Sequence, residues 1–219
     1  MSSCVAVCLI LGWFAGCETA TSTSNGYSRP ASGVSTFESN KGKDPIPETL
    51  FSVSRILIAQ GRDEEAEPIL RRITSEHQSF VPAYNKLAEI QMRDQRLGEA
   101  LQTLQAGLEE DPENVTLLNN LGMCWLLRER YDTALEVFTE AASLSPDDAR
   151  LRANMAVAIG MQGRYDEAFA LYEQVVSRAE AHYNLGVLAQ AREDYGRAGD
   201  EFAQAERINP SVVRRRFEQ

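Results

Sequence analysis

The chain has 219 residues, with 22 lysines and arginines against 32 aspartates and glutamates, so its net charge is −10 at pH 7. A surface with this excess of acid should repel phosphate, which argues against nucleic acid as a partner. The histidines, His77 and His182, lie far apart, and the chain carries no phosphate-binding glycine loop or nucleophile motif, so neither a cofactor nor an enzymatic activity is expected.

The chain begins with an uncharged apolar run over residues 5–14, too short to span a bilayer and of the length of a signal-peptide core. The run ends in Phe14-Ala15-Gly16-Cys17, which resembles the lipobox of bacterial lipoproteins. This resemblance implies a signal segment over residues 1–17 and lipidation of Cys17. Because Glu18 is not the aspartate associated with inner-membrane retention, it also implies a periplasmic location on the outer membrane. The alternative is a signal segment in which the cysteine stays unmodified.

Residues 18–47 are rich in serine, threonine, glycine, asparagine and proline and poor in apolar side chains. Such a segment does not bury enough apolar surface to offset the entropy of folding. We therefore expect a disordered tether between the membrane anchor and the rest of the chain.

Residues 48–212 contain an internal repeat. Five alanines recur, with 34 residues between neighbours among the first four and 30 between the last two: Ala66, Ala100, Ala134, Ala168 and Ala198. A large apolar residue follows each alanine by four positions, so the two share one helical face. A second helical pattern with its own small residue precedes each alanine. The sequence therefore predicts antiparallel helix pairs, each covered by its neighbour.

The third repeat resembles the tetratricopeptide repeat family most closely. The residues on the family's signature places are Leu118, Leu121, Gly122, Trp125, Ala134, Phe138, Ala141 and Pro146. The resemblance implies an all-α, right-handed α-solenoid of five helix pairs, here called units 1–5. Their expected ranges are residues 47–80, 81–114, 115–148, 149–178 and 179–212, followed by a basic tail over residues 213–219.

Two departures from the repeat are expected to alter it locally. Unit 4 lacks four residues near positions 175–183, close to one helical turn, so the array should continue with a change of curvature. In unit 1, Pro68 stands inside the second helix, which it is expected to kink or delay.

The first helices of such arrays line a concave groove, by resemblance to the family. At one register of these helices stand four polar residues: Lys86, Asn120, Asn154 and Asn184. Asparagine amides both donate and accept hydrogen bonds, so this ladder is a candidate site for the backbone of an extended peptide. The alternative is that asparagine is simply common at this place in the family.

Farther along the same helices lies an apolar stripe of candidate groove residues: Met123, Leu126, Val157, Met161 and Val187. An exposed stripe of this kind would suit a partner segment, with methionines giving adaptable contacts. The alternative is packing beneath the neighbouring helix pair. Replacing Met161 with glutamate distinguishes the two, because a groove residue tolerates the change and a core residue does not.

We therefore expect a non-catalytic adaptor, anchored by lipid, that binds a protein or peptide segment in its groove. The architecture resembles pilotin-type and tight-adherence pilus assembly lipoproteins, which implies a role in pilus or secretin assembly. The alternative is a scaffold for cell-wall enzymes or other envelope complexes. Only nine residues follow Pro210, so we expect the last pair to be covered either by a short turn or by a partner or second copy that meets the C-terminal end.

Overall fold

The computed structural model describes residues 46–214, where the chain forms eleven α-helices and no strand. None of the described helices is both long and apolar enough to cross a membrane. The predicted signal segment with Cys17, the tether before residue 46 and residues 215–219 of the tail lie outside the described residues. The helices are α1 Pro47–Ala59, α2 Asp63–Glu76, α3 Val81–Arg93, α4 Leu97–Glu110, α5 Val115–Leu127, α6 Tyr131–Leu144, α7 Ala149–Met161, α8 Tyr165–Tyr172, α9 Arg178–Ala191, α10 Tyr195–Ile208 and α11 Pro210–Arg214.

Helices α1–α10 form five consecutive pairs, and the two helices of each pair pack against each other. The second helix of a pair also packs on the first helix of the next pair. In addition, the first helices of units 2–5 contact one another, α3 with α5, α5 with α7 and α7 with α9. The predicted all-α solenoid of five helix pairs is confirmed.

The repeated alanines lie at the centre of the units. They are fully buried in units 1–4, and Ala198 in unit 5 is 4% exposed. The large residue four positions later is also fully buried in units 1–4 and half-buried in unit 5. The small residue therefore lets the second helix approach while the large residue fills the space beside it.

Close packing of the two helices explains the glycines of units 3 and 5. A Cβ atom added to Gly122 would lie 2.5 Å from Cε1 of Phe138, and one added to Gly186 would lie 2.6 Å from Cδ1 of Phe202. Units 2 and 4 carry alanine at this place. Glycine is therefore used where the facing residue of the second helix is phenylalanine.

The turn between the helices of each unit contains one residue in the left-handed region. In units 1 and 4 it is glycine, Gly61 at φ 72° and Gly163 at φ 86°. In the other units it is Gln95 at φ 61°, Glu129 at φ 59° and Glu193 at φ 64°. All five stand at the same place in the repeat, so the turn geometry is fixed by the helix packing and accepts non-glycine residues.

The residues that unit 4 lacks relative to the other units shorten its second helix. Helix α8 has eight residues, against 14 in the second helices of the other four units. A turn follows, and Ser177 begins α9 with a capping box in which Glu180 returns a bond to the Ser177 amide. Glu180 stands where the period would place proline, and here it caps a helix instead. The array continues because α9 packs on α7 and α8.

Of the two effects expected of Pro68, the delayed helix start is wrong, whereas the kink stays a prediction. Helix α2 begins at Asp63 and runs without interruption to Glu76. Pro68 is exposed, and so is Glu64, whose carbonyl loses the bond that the proline nitrogen cannot donate.

The C-terminal end is covered in part by the chain itself. The short helix α11 packs on α10 and also contacts α9. This favours the first of the two alternatives, a short turn over the last pair. Association of copies through this end stays a prediction.

We predict that Gly122→Ala lowers the free energy of unfolding, although glycine to alanine in a helix usually raises it by about 1 kcal/mol. The new methyl group meets the Phe138 ring, and such overpacking costs roughly 1–3 kcal/mol. Urea unfolding followed by circular dichroism measures the change. The matched control is Gly199→Ala in α10, where an added Cβ meets nothing within 4 Å.

The double variant Gly122→Ala with Phe138→Leu copies the pairing of unit 2, where Ala88 and Leu104 share one core cluster. We expect it to recover part of the lost stability. A rise in stability for Gly122→Ala, equal to that for Gly199→Ala, would contradict the packing account.

Candidate functional site

The candidate site is the side of the first helices that carries the predicted polar ladder, here called the first-helix face. Helices α3, α5, α7 and α9 contact one another in sequence along the array. Side chains at the same register of these helices are therefore neighbours across units. Lys86, Asn120 and Asn184 are half-buried, whereas Asn154 is 5% exposed.

Asparagine side chains of units 2–4 form a continuous chain of hydrogen bonds across this face. Asn154 Nδ2 donates to Asn119 Oδ1 at 2.8 Å. Asn119 Nδ2 donates to Asn120 Oδ1 at 3.3 Å, and Asn120 Nδ2 donates to Asn85 Oδ1. The side chains of the predicted ladder residues Asn120 and Asn154 are therefore already hydrogen-bonded within the protein. Their partners, Asn85 and Asn119, form a second column of asparagines beside the ladder.

The amide chain ends on a carboxylate. Asn85 Nδ2 donates to Glu89 Oε1 at 3.2 Å, and Lys86 Nζ donates to Glu89 Oε2 at 2.7 Å. An ionised carboxylate only accepts hydrogen bonds, so Asn85 must present its nitrogen to Glu89 and its oxygen to Asn120. The carboxylate thus sets the direction of every amide in the chain. Lys86 binds the same carboxylate, so its ammonium group is already paired within the protein.

Sequence reasoning missed Asn85 and Asn119. A signal existed, because Asn85 and Asn119 are 34 residues apart and each directly precedes a predicted ladder residue. Unit 4 has Ala153 at this place, which explains why the second column ends there. The side chain of Asn184 in unit 5 accordingly forms no hydrogen bond with another described residue, and its side-chain amide stays available.

Three of the predicted groove residues belong to the core, which corrects the prediction. Leu126 is fully buried, Val157 is 1% exposed and Met161 is 2% exposed, all in one apolar cluster of units 3–5. The physical reason is the direct contact of α5 with α7 and of α7 with α9, which covers the ends of these helices. Met123 and Val187 pack on the same cluster and keep part of their surface exposed.

Titratable side chains near the site are engaged in packing. His182 Nδ1 lies 2.7 Å from Glu201 Oε2, and its ring lies 4.6 Å from that of Phe169. Cys124 is fully buried, and burial raises the pKa of its thiol to about 11. A thiol in that state is a poor nucleophile at neutral pH. Within residues 46–214, no group of three or more histidine, cysteine or acidic residues is arranged to hold a metal ion.

Comparison with known proteins agrees with the geometry. A sequence profile described as tetratricopeptide repeat matches residues 85–149 and 162–212, and a second profile of the same description matches residues 126–176. Together they span units 2–5. None of the curated proteins is similar enough in sequence to match.

Solved structures of similar fold share little sequence with the chain. MamA from Desulfovibrio magneticus aligns with a TM-score of 0.62 at 16% identity, covering 75% of this chain and 96% of its own. YrrB, described as a TPR protein with an unusual peptide-binding site, aligns at 0.59 and 22%, covering 80% and 90%. A thermophilic TPR protein of Thermus thermophilus aligns at 0.58 and 20%, covering 79% and 96%. At these identities the likeness concerns the fold alone.

We predict that Met161→Ala lowers the free energy of unfolding by about 2–5 kcal/mol, the usual cost of truncating a buried large side chain. Met123→Ala is the matched control, since the same side chain is half-buried there. Urea unfolding followed by circular dichroism compares the two. Equally small losses in the free energy of unfolding for both variants would contradict the burial of Met161 and support the prediction that it lines the groove.

We predict that Asn119→Ala lowers the free energy of unfolding by about 1–3 kcal/mol, because it leaves the buried Asn154 amide without its acceptor. Asn184→Ala removes an amide with no internal partner and should change stability by less than about 0.5 kcal/mol. Both changes introduce alanine into a first helix, so helix propensity largely cancels. Thermal unfolding of the two variants side by side is the test, and equal effects would contradict the amide chain.

Proposed function

Because the chain belongs to the tetratricopeptide repeat family, we propose that it is a non-catalytic scaffold that binds a segment of another protein on its first-helix face. The observation that carries this proposal is the amide chain of units 2–4. Each asparagine nitrogen has two hydrogens and uses one within the chain, so the half-buried Asn85, Asn119 and Asn120 each keep one for a ligand, whereas Asn154 is buried. Because the internal bonds already fix these amides, a bound peptide backbone immobilises few further side-chain rotamers.

Unit 5 supplies a different part of the same surface. Both the oxygen and the nitrogen of the Asn184 side chain are available to a ligand, and Val187, one turn farther along α9, keeps part of its apolar surface exposed. Met123 gives a similar apolar contact in unit 3. An extended segment lying along the face would meet amides for its backbone and apolar surface for alternate side chains. The YrrB structure, with its peptide-binding site, is a precedent within the same fold.

Absence of catalysis is part of the proposal. His77 and His182 lie in different units, and Glu201 and Phe169 already engage His182. Glu201 also lies 2.7 Å from Arg197, so Glu201 connects His182 of α9 with Arg197 of α10. The contacts of His182 are therefore packing contacts between α8, α9 and α10.

We further propose that Cys17 carries a lipid and anchors the array to the periplasmic side of an outer membrane. The support is the sequence Phe14-Ala15-Gly16-Cys17 after an apolar run. Residues 18–47 would then separate the array from the membrane surface. Binding would take place in the periplasm, within reach of other envelope proteins.

Two processes suit a scaffold in that location. The first is assembly or localisation of a pilus secretin, which rests on the resemblance of lipobox, tether and repeat array to pilus assembly lipoproteins. The second is organisation of cell-wall enzymes or other envelope complexes. The neighbouring genes distinguish them, since pilus ATPases and a secretin would favour the first and peptidoglycan enzymes the second.

The decisive experiment is photocrosslinking in living cells with a photoreactive amino acid in place of Asn184. We expect one or a few specific protein adducts, because the side chain has no internal partner and lies on the proposed binding face. The matched control is the same substitution at Gln102, an exposed residue of the second helix α4. Mass spectrometry identifies the adducts and, from the same sample, a lipid mass on Cys17.

Each outcome bears on one part of the proposal. A secretin or pilus component would support the first process, and a wall enzyme the second. Equal adducts from positions 184 and 102, or none from a folded protein, would contradict binding on the first-helix face. An unmodified Cys17 would contradict the anchor without affecting the scaffold.

A further inference from the structure

The amide chain of the first-helix face ends on a carboxylate that two donors share. Asn85 Nδ2 donates to Glu89 Oε1 at 3.2 Å, and Lys86 Nζ donates to Glu89 Oε2 at 2.7 Å. Each donor therefore has an oxygen of its own. All three side chains are half-buried and lie within about one turn of α3, so this end of the chain borders the surface offered to a ligand.

An asparagine side chain fits the same space in two orientations. A half-turn about its Cβ–Cγ bond exchanges the oxygen with the nitrogen, and the two groups are similar in size. In a row of amides that bond to one another, the orientation of one fixes that of the next, because a donor must face an acceptor. The chain from Asn154 through Asn119 and Asn120 to Asn85 consequently has two self-consistent directions. Its own bonds do not choose between them.

The carboxylate of Glu89 makes this choice. An ionised carboxylate only accepts hydrogen bonds, so Asn85 turns its nitrogen toward Glu89 and its oxygen toward Asn120. Lys86 binds the other carboxylate oxygen and thereby holds Glu89 in this position. The observed direction, in which every amide nitrogen points along the chain toward Glu89, follows from that single negative group.

We propose that Glu89, held in place by Lys86, determines which ligand atoms the first-helix face binds, because it fixes the direction of the amide chain. In the observed direction Asn85, Asn119 and Asn120 each offer a free N–H at a defined point. Reversal exchanges each nitrogen with its oxygen, so a ligand carbonyl that accepted from an amide would face an oxygen instead. The role in ligand choice rests on the proposed function, whereas the fixed direction does not.

Glu89→Gln should reverse the chain. An ammonium group has donors and no acceptor, so Lys86 takes the glutamine oxygen and leaves the glutamine nitrogen to Asn85. Asn85 then presents its oxygen to that nitrogen and donates to Asn120, and each later amide turns in the same way. Because one unmade hydrogen bond changes a population roughly fivefold, we expect the reversed chain in about four fifths of the molecules or more. Lys86→Met keeps the carboxylate and therefore the original direction, and Lys86→Met combined with Glu89→Gln should populate both directions.

The first measurement reads the direction without a ligand. The full chain is purified in detergent with isotopically labelled asparagine, and nuclear magnetic resonance records the scalar coupling from each donor nitrogen to the carbonyl carbon of its acceptor. The parent should couple the Asn154 nitrogen to the Asn119 carbon, as in the structure. Glu89→Gln should couple the Asn119 nitrogen to the Asn154 carbon instead. The original coupling in Glu89→Gln, or no coupling between these two residues in either protein, would overturn the proposal, and circular dichroism checks that each variant is folded.

The second measurement asks whether the direction matters to a ligand. It repeats the photocrosslinking in cells from position 184 with Glu89→Gln and with the matched control Glu48→Gln, which removes the same charge from an exposed residue of α1 outside the chain. We expect Glu89→Gln to lower the adduct yield at least about fivefold and the control to stay within about twofold of the parent. Equal yields from the two variants would refute the role in ligand choice. No adduct from the parent would instead contradict binding on this face, while the couplings still decide the direction.

Discussion

The structure depends on one constraint, namely that a helix pair of this sequence has no way to bury its own apolar side. Ala66, Leu70 and Ile73 of unit 1 become a core only when Leu87 and Ile90 of unit 2 pack on them. The same contact repeats along the array. Folding of a unit therefore depends on stacking, and a residue that separates two neighbouring units removes the stabilisation that their interface supplies.

The stacking also shapes the candidate binding face. Bringing α3, α5 and α7 into contact places asparagines of different units within hydrogen-bond distance, and Glu89 gives their chain a direction. The same contact closes over Leu126 and Met161. A polar, oriented surface remains in units 2–4, and a free amide with apolar surface remains in unit 5. The first-helix face therefore has a polar part in units 2–4 and a more apolar part in unit 5. A peptide lying along it would form backbone hydrogen bonds at the first part and bury side chains at the second.

Much of the fold follows from the sequence, because the spacing of Ala66, Ala100 and the later alanines reflects a packing requirement within each unit. The helix pairs, their order and the small residues between them were all predictable on that basis. The burial of Met161 was not, since it depends on how closely α7 and α9 approach, and the periodicity within one helix does not contain that distance. For the same reason the ladder residues were found, while their bonds to Asn85 and Asn119 were not.

The ends of the array follow from the stacking constraint as well. Each internal unit has two neighbours, so the terminal units each present one face that the repeat leaves unpaired. Helix α11 partly covers the C-terminal face with a short segment that begins at Pro210, where the repeat would otherwise start a new first helix. The N-terminal face keeps Val53 and Ile56 exposed in the positions that other units bury. They stay exposed because no described helix precedes α1, whereas α2 covers the corresponding Leu87 and Ile90 of unit 2.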